Sequence, residues 1–195
     1  MNIILIDYGA GNVRSVQFAL ERLGYSGKLT ADAGEISRAD KVIFPGVGEA
    51  SSAMAALRKY GLDKVIPQLK QPVLGICLGL QLMGNYSEEG NIECLGIFPA
   101  KAVAFPKNLK VPQVGWNTLT TLKSPLFQGV KEGSYAYFVH SYYVPVNDFT
   151  ISQSEYGLPF SAALAKDNFF ACQFHPEKSG KTGEQILRNF LEIQK

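Results

Sequence analysis

The sequence is poor in cysteine, histidine and charge. Its 195 residues include three cysteines and two histidines, and charged residues make up 18% with a formal net charge of +2. No two cysteines form a C-x-x-C pair, which argues against a zinc site or a redox pair. We therefore expect free thiols in a reducing compartment, with no metal and no cofactor. Without a basic stripe or a run of like charges, nucleic-acid binding and a charged interaction tail are disfavoured.

Long apolar runs are also missing. No stretch reaches the roughly 18 apolar residues that a membrane helix requires. The apolar N-terminus has no basic region before it and no cleavage site after it, so it is typical of a first strand rather than a signal peptide. We expect a soluble, cytoplasmic protein in which residues 1–195 form a single domain.

Strand and helix patterns alternate through the first half of the chain. Apolar, β-branched runs predict buried parallel strands, and helical spacing predicts helices between them. The predicted strands are residues 3–7, 41–44 and 73–76; the predicted helices run from residue 13 to Gly24, from 50 to 69 with a break near Gly61, and from 78 to 83. This alternation indicates a parallel sheet covered on both faces. The β-type runs 100–105, 135–143 and 169–174 predict further, partly antiparallel sheet, and residues 182–193 predict a last helix.

The sharpest chemical signal is the segment GICLG around Cys77. It lies where a buried strand ends and a helix begins, and a G-x-nucleophile-x-G turn at such a place is a nucleophile elbow. The turn would bring Cys77 to the carboxyl edge of the sheet, where open α/β folds bind ligands. The alternative is a structural cysteine between two packing glycines. For the other thiols, Cys94 and Cys172, a small core hydrophobe is the better interpretation.

A thiol nucleophile needs a base, and His175 is the better candidate. It follows the apolar run FFACQF, so it should lie at the same sheet edge as Cys77. Glu177 could accept a hydrogen bond from the second imidazole nitrogen, as the third member of a triad does. His175 could instead be an ordinary turn histidine. His140, within YFVHSYY, is more typical of a structural or pocket-lining histidine.

Two glycine-containing turns complete the candidate set. The turn Pro45-Gly46-Val47-Gly48 follows a predicted strand and could aim a backbone N–H into a cleft as part of an oxyanion hole, although such turns are common. The turn at residues 9–12 has two glycines but lacks the third glycine and the acidic residue of a dinucleotide-binding fingerprint.

Together, the GICLG elbow and the His-Pro-Glu segment resemble the class I glutamine amidotransferases. The resemblance implies a triad of Cys77, His175 and Glu177, with Val47 and Leu78 at the oxyanion-hole positions. It also implies a pocket for the substrate glutamine, formed by Gly48, Gln81, Glu89, Ser141 and Tyr142.

A subgroup of that family is similar over essentially the whole chain. Its members share the start ILIDYGAGN, the PGVG turn, the segment PQVGWN at 112–117 and YFVHSYY. They are glutaminase subunits that form a heterodimer with a (β/α)8-barrel cyclase and supply it with ammonia for imidazole glycerol phosphate formation in histidine biosynthesis. The resemblance implies a flavodoxin-like three-layer α/β fold with a mostly parallel sheet and an antiparallel portion. It implies that Trp116, Tyr137 and Lys178 lie at the partner interface near the ammonia exit.

Other functions remain open on the sequence. A stand-alone cysteine amidohydrolase, or a glutaminase subunit of another synthase, would share the triad. A binding module with a degenerate site is a third possibility, which the complete set of triad residues opposes.

Overall fold

The computed structural model describes residues 1–9 and 13–194, so most of the glycine turn expected at residues 9–12 lies outside the described residues. The helices are α1 (Val13–Arg22), α2 (Ala33–Ser37), α3 (Ala50–Lys59), α4 (Leu62–Val65), α5 (Leu78–Met83) and α6 (Gly180–Glu192), with 3-10 turns at Ile66–Gln68, Pro125–Phe127 and Pro176–Lys178. The strands are β1 (Ile3–Ile6), β2 (Gly27–Thr30), β3 (Lys41–Gly46), β4 (Val73–Cys77), β5 (Tyr86–Ser87), β6 (Ile92–Glu93), β7 (Lys101–Ala104), β8 (Gln113–Thr118), β9 (Tyr135–His140), β10 (Tyr142–Tyr143), β11 (Thr150–Glu155), β12 (Pro159–Lys166) and β13 (Phe169–Cys172).

Within the described part of the chain, seven strands form the main sheet. Their order is β2-β1-β3-β4-β13-β12-β11. Neighbours from β2 to β13 are parallel, whereas β12 and β11 add an antiparallel edge. Two smaller sheets accompany it, one in the order β10-β7-β5-β6 and the other the β8–β9 ribbon. The expected mixture of a parallel sheet with an antiparallel portion is therefore confirmed.

The two faces of the main sheet support two separate cores. Along β1, Ile4 and Ile6 pack into one core while Ile3 and Leu5 pack into the other, because successive side chains of a strand point to opposite faces. Buried residues of α2, α3, α4 and α5 belong to the first core, and those of α1 and α6 belong to the second. The result is the three-layer α/β architecture that the sequence predicted.

Most of the sequence predictions agree with the structure, and one predicted β run is divided into two strands. The predicted break near Gly61 separates α3 from α4, and Gly24, at φ 85°, lies just beyond the end of α1. The run 135–143, expected as further sheet, forms two strands that belong to different sheets. The chain leaves β9 at Ser141, whose carbonyl accepts a hydrogen bond from Phe105, and β10 then pairs with β7 in a different sheet.

Helix α5 lies unusually close to strand β3. A Cβ atom added to Gly79 would come within 2.1 Å of the Phe44 carbonyl oxygen, a contact that no side chain tolerates. A Cβ atom on Gly46 would likewise lie 2.7 Å from the Gly79 nitrogen. Glycine at both positions lets the start of α5 rest directly on the end of β3. None of the described helices is long and apolar enough to span a membrane.

We predict that Gly79→Ala destabilises the fold by about 2–3 kcal/mol, because the added methyl group has to displace backbone rather than a flexible side chain. Urea unfolding measures this loss. Gly34→Ala is the matched control, because its added Cβ would meet only the ends of the Asp32 and Arg38 side chains, at 3.1 and 3.2 Å. Equal unfolding midpoints for the two variants would contradict the prediction.

Candidate active site

Cys77 occupies a strained turn between β4 and α5. It is the last residue of the strand and the residue immediately before the helix, with φ 54° and ψ −108°. A non-glycine residue at positive φ is costly and persists only where the surroundings enforce it. Here Gly75 and Gly79 on either side provide the room, since a Cβ on Gly75 would lie 2.9 Å from the Met83 sulfur and 3.1 Å from Gly79 backbone. The turn brings Cys77 to the wall of a cavity.

That cavity, of about 320 Å³, lies at the carboxyl edge of the parallel strands. Ten of the thirteen residues predicted for the site line it: Val47, Gly48, Cys77, Leu78, Gln81, Glu89, Ser141, Tyr142, His175 and Lys178. Glu177 lies behind His175, whereas Trp116 and Tyr137 lie outside the cavity. Pro112 and Val139 also line it and were not predicted, although both belong to segments that carried the family resemblance. A volume near 300 Å³ suits a small polar ligand.

His175 lies between Cys77 and Glu177. Its Nδ1 is 2.8 Å from Glu177 Oε1, and it lines the same cavity as Cys77. Burial by itself would lower the pKa of His175, but the hydrogen bonds and charges of Cys77 and Glu177 outweigh it and raise the pKa to about 10. Cys77 and Glu177 together therefore stabilise the protonated, imidazolium form of His175 next to the sulfur.

The other two thiols lack this environment. Burial raises the pKa of Cys94 to about 11, an effect that the positive charge of Arg58 only partly offsets. Burial also raises the pKa of Cys172 well above its usual range, and the charges of Glu177 and Cys77 add to the increase. A nucleophile has to ionise, so neither thiol is suited to the task. Among the described residues, no group of three or more His, Cys, Asp or Glu side chains could hold a metal ion.

His140 is a neutral residue of the cavity wall. Burial lowers its pKa to about 4, although the hydrogen bond to the Tyr142 carbonyl opposes this. Nδ1 donates to that carbonyl over 2.8 Å, and Nε2 lies 2.9 Å from the side-chain amide of Gln113. These contacts hold the chain in place between the end of β9 and the start of β10. His140 therefore shapes the cavity wall, whereas His175 faces the thiol.

Two further polar side chains lie on the cavity wall. Gln81 Nε2 donates to the Tyr142 carbonyl at 3.0 Å. Glu89 Oε2 accepts from the Ala50 amide at 2.8 Å. Burial raises the pKa of Glu89, and the charge of Glu49 contributes to the increase. A partly desolvated carboxylate of this kind gains interaction energy when a cation arrives.

Trp116 and Tyr137 form a cross-strand pair on the β8–β9 ribbon, with ring centroids 5.8 Å apart. Val114, Trp116 and Tyr135 are 60%, 56% and 58% exposed, and together with Tyr137 they make up an apolar surface that we call the docking face. An exposed apolar patch of this kind is typical of a protein–protein contact.

The ribbon is joined to His175 by hydrogen bonds. The His175 amide donates to the Tyr137 carbonyl at 2.8 Å, and the Tyr137 amide donates to Ser179 Oγ at 3.0 Å. Ser179 Oγ in turn donates to the His175 carbonyl at 2.6 Å. Three residues thus form a closed ring of hydrogen bonds between the docking face and the cavity.

Sequence reasoning missed Gln173 and Ser179. Gln173 is fully buried, and its Nε2 lies 3.7 Å from Cys77 Sγ. The sequence did contain a signal for Gln173, because it is the one amide in the apolar run FFACQF, two residues before His175. A polar side chain that is buried in such a run needs a hydrogen-bond partner. Ser179 carried no comparable signal, because a serine before a helix is common.

The chain is similar to known glutamine amidotransferases in sequence and in structure. Residues 4–193 match the family model for glutamine amidotransferase class-I. An imidazole glycerol phosphate synthase subunit HisH from Bacteroides fragilis is 56% identical over 99% of this chain and 100% of the relative. The subunit of that name from Haemophilus influenzae is 50% identical, over 98% of each chain.

Solved structures show the same fold. A glutamine amidotransferase structure superposes with a TM-score of 0.76 at 18% identity, covering 97% of each chain. PurLQS from Thermotoga maritima superposes with a TM-score of 0.75 at 16% identity, covering 98% of this chain and 97% of that one. At these identities the likeness establishes the fold alone.

We predict that the two histidines titrate at opposite ends of the pH scale. His175 should stay protonated until the pH approaches about 10, and His140 should stay neutral down to about 4, for the reasons given above. NMR of ¹³C-labelled histidine rings measures both. Glu177→Gln removes a negative charge beside the imidazolium and should lower the pKa of His175 by about one pH unit. The His140 signal is the internal control, and two ordinary titrations near neutral pH would refute this description.

Proposed function

The chain belongs to the class-I glutamine amidotransferase family, and from this membership we propose a division of labour among its residues. The protein is a glutaminase, the ammonia-producing subunit of an imidazole glycerol phosphate synthase, and it acts in histidine biosynthesis. One observation carries the proposed chemistry. It is the position of Cys77 and His175 on the wall of one cavity that suits an amino acid, with His175 Nδ1 held 2.8 Å from Glu177 Oε1.

In the first step, the Cys77 thiolate attacks the amide carbon of glutamine. The electron pair of the carbonyl moves onto its oxygen, where the backbone N–H groups of Leu78 and Val47 stabilise the negative charge. When the intermediate collapses, the carbon–nitrogen bond breaks and the His175 imidazolium transfers its proton to the leaving nitrogen. Ammonia leaves, and a γ-glutamyl thioester remains on Cys77.

In the second step, water hydrolyses the thioester. His175 is now neutral and accepts a proton from the attacking water. The carbon–sulfur bond breaks, glutamate leaves, and the thiolate–imidazolium pair is restored. Glu177 stabilises the imidazolium formed in this step and keeps Nδ1 protonated, so that the other ring nitrogen faces the sulfur.

The rest of the cavity recognises glutamine as an amino acid. Glu89 receives the α-ammonium group, which is the partner that its partly desolvated carboxylate lacks. The Nε2 end of the Gln81 amide is occupied, because it already donates to the Tyr142 carbonyl. Gln81 therefore presents its other end, the carbonyl oxygen, which accepts a hydrogen bond from the same ammonium. The backbone at Gly48, Ser141 and Tyr142 holds the carboxylate and the amide side chain.

The partner subunit binds the docking face. As a subunit of a synthase, the chain works with a second protein, and we assign that partner as a (β/α)8-barrel cyclase that forms a heterodimer with it. An exposed tryptophan and tyrosine are the residue types that dominate binding energy at protein interfaces. A stand-alone amidohydrolase would have no use for such a face. Ammonia leaves past Lys178 and Tyr137 towards the partner, and a cytoplasmic location for the complex stays a prediction.

We predict that Cys77→Ala abolishes glutamine-dependent synthesis by the complex but leaves synthesis from ammonium salts largely intact. The thiol is needed only to release ammonia, and the later chemistry takes place on the other subunit. The measurement is the rate of product formation with glutamine and with ammonium salts, at matched amounts of assembled complex. Loss of both activities in an intact complex would show that the division of labour is wrong.

We predict that Trp116→Ala weakens binding of the cyclase by about 30-fold, which is the loss typical of a central aromatic residue at an interface. Calorimetric titration of the cyclase into the chain measures it. Tyr60→Ala is the matched control, because Tyr60 is 48% exposed but lies at the end of α3 remote from the cavity. Similar affinities for both variants would show that the docking face is not part of the interface with the cyclase.

A further inference from the structure

Gln173 is a buried amide next to the nucleophile. It lies between β13 and His175 and is 0% exposed. Its side chain contacts two residues of the site, Cys77 and Gln81. Burying an amide is costly unless both its donor and its acceptor atoms are paired, and an apolar side chain of the same size would fill the space at lower cost. The pairing of this amide therefore indicates what the side chain does.

The hydrogen bonds determine which end of the amide faces the sulfur. The Tyr142 carbonyl can only accept, so the Gln81 atom 3.0 Å away from it has to be the donor Nε2. That same Nε2 lies 3.1 Å from Gln173, which must then present its carbonyl oxygen. The remaining end of the Gln173 amide, its NH₂ group, consequently faces Cys77 Sγ at 3.7 Å.

From this chain of contacts, we propose that Gln173 is a positioning residue for the glutaminase reaction: it donates a hydrogen bond to the Cys77 thiolate and holds Gln81 in place with the same amide. The inference rests on the proposed role of Cys77 as the nucleophile. It assigns to one buried side chain both the alignment of the sulfur and the alignment of a substrate-binding group.

The contacts of the sulfur differ between its two protonation states. Cys77 Sγ also lies 3.6 Å from the Val139 carbonyl, which can accept a hydrogen bond from the neutral thiol. Once the thiol ionises, that carbonyl repels the sulfur, and the Gln173 NH₂ group becomes a favourable partner. Hydrogen bonds to an ionised acceptor are about twice as strong as neutral ones. Gln173 therefore favours the ionised form and keeps it aimed into the cavity.

The test is the pH dependence of Cys77 alkylation by iodoacetamide, in which the thiolate displaces iodide and forms a thioether. Peptide mass locates the adduct. In Gln173→Met, which keeps the size but loses the donor, the pH of half-maximal rate should rise by about one unit. The maximal rate at high pH should stay within about twofold, because the thiolate itself is unchanged. Gln173→Glu, which puts an acceptor beside the sulfur, should raise the midpoint further.

Gln71→Met is the matched control. Gln71 is also a buried glutamine, 3% exposed, whose Nε2 donates to the Ile36 carbonyl at 2.8 Å. Its loss should lower stability without moving the alkylation midpoint of Cys77. An equal midpoint in Gln173→Met, in Gln71→Met and in the unaltered chain would overturn the proposal.

A second measurement needs no substitution. In the unaltered chain with ¹⁵N-labelled glutamine, the Gln173 NH₂ signal should move as the pH passes the alkylation midpoint of Cys77. A signal that ignores this ionisation overturns the proposal even where the variants fail to fold. Neither measurement uses glutamine as substrate, so the outcome is separate from the test of the glutaminase reaction. In the complex, kcat/KM of Gln173→Met should be reduced near neutral pH and recover as the pH is raised, whereas a structural defect would lower it at every pH.

Discussion

The close contact between Gly79 and the Phe44 carbonyl sets the geometry of the whole site. Because α5 rests on the end of β3, the last residue of β4 has to turn sharply, and Cys77 takes up a strained backbone conformation with φ 54° and ψ −108°. The same contact places the PGVG turn, which ends β3, beside the start of α5. The proposed nucleophile and both proposed oxyanion donors therefore depend on the absence of one side chain.

Environment separates residues that are chemically identical. Cys77, Cys94 and Cys172 are all thiols, yet only Cys77 has an imidazolium and an amide donor beside it. The two histidines differ in the same way. His175 has a carboxylate and a sulfur as neighbours, whereas His140 has a backbone carbonyl, a neutral amide and three phenylalanine rings. Burial alone would leave both rings neutral, so the partners decide which of them is charged.

The sequence predicted the parts of the structure that depend on local pattern. The buried parallel strands, the break near Gly61 and the fold class follow from apolar periodicity and glycine placement. The sharp turn at Cys77 follows from its two glycines. Strands β2 and β11 were missed because they are partly exposed and polar, so they carry no apolar run. The triad assignment needed the family resemblance, since spacing alone leaves His175 open to an ordinary structural interpretation.

Long-range pairing was the part that no local pattern could supply. Gln173 meets Gln81 across 92 residues, and Ser179 meets Tyr137 across 42, through contacts that exist only once the sheet is assembled. Each is a single polar residue in a segment that otherwise predicts an ordinary strand or helix start. The role of each residue depends on which atoms lie next to it, and only the folded structure shows those neighbours.

The ring of hydrogen bonds through Tyr137, Ser179 and His175 has a consequence for inhibitor design. A compound that binds Trp116 and Tyr137 on the outside of the ribbon can displace the main chain to which His175 is hydrogen-bonded. Such a compound would not compete with glutamine, so a high glutamine concentration would not weaken its binding. It would also bind outside the cavity that Cys77 and His175 line, so it would act at a different surface from a substrate analogue.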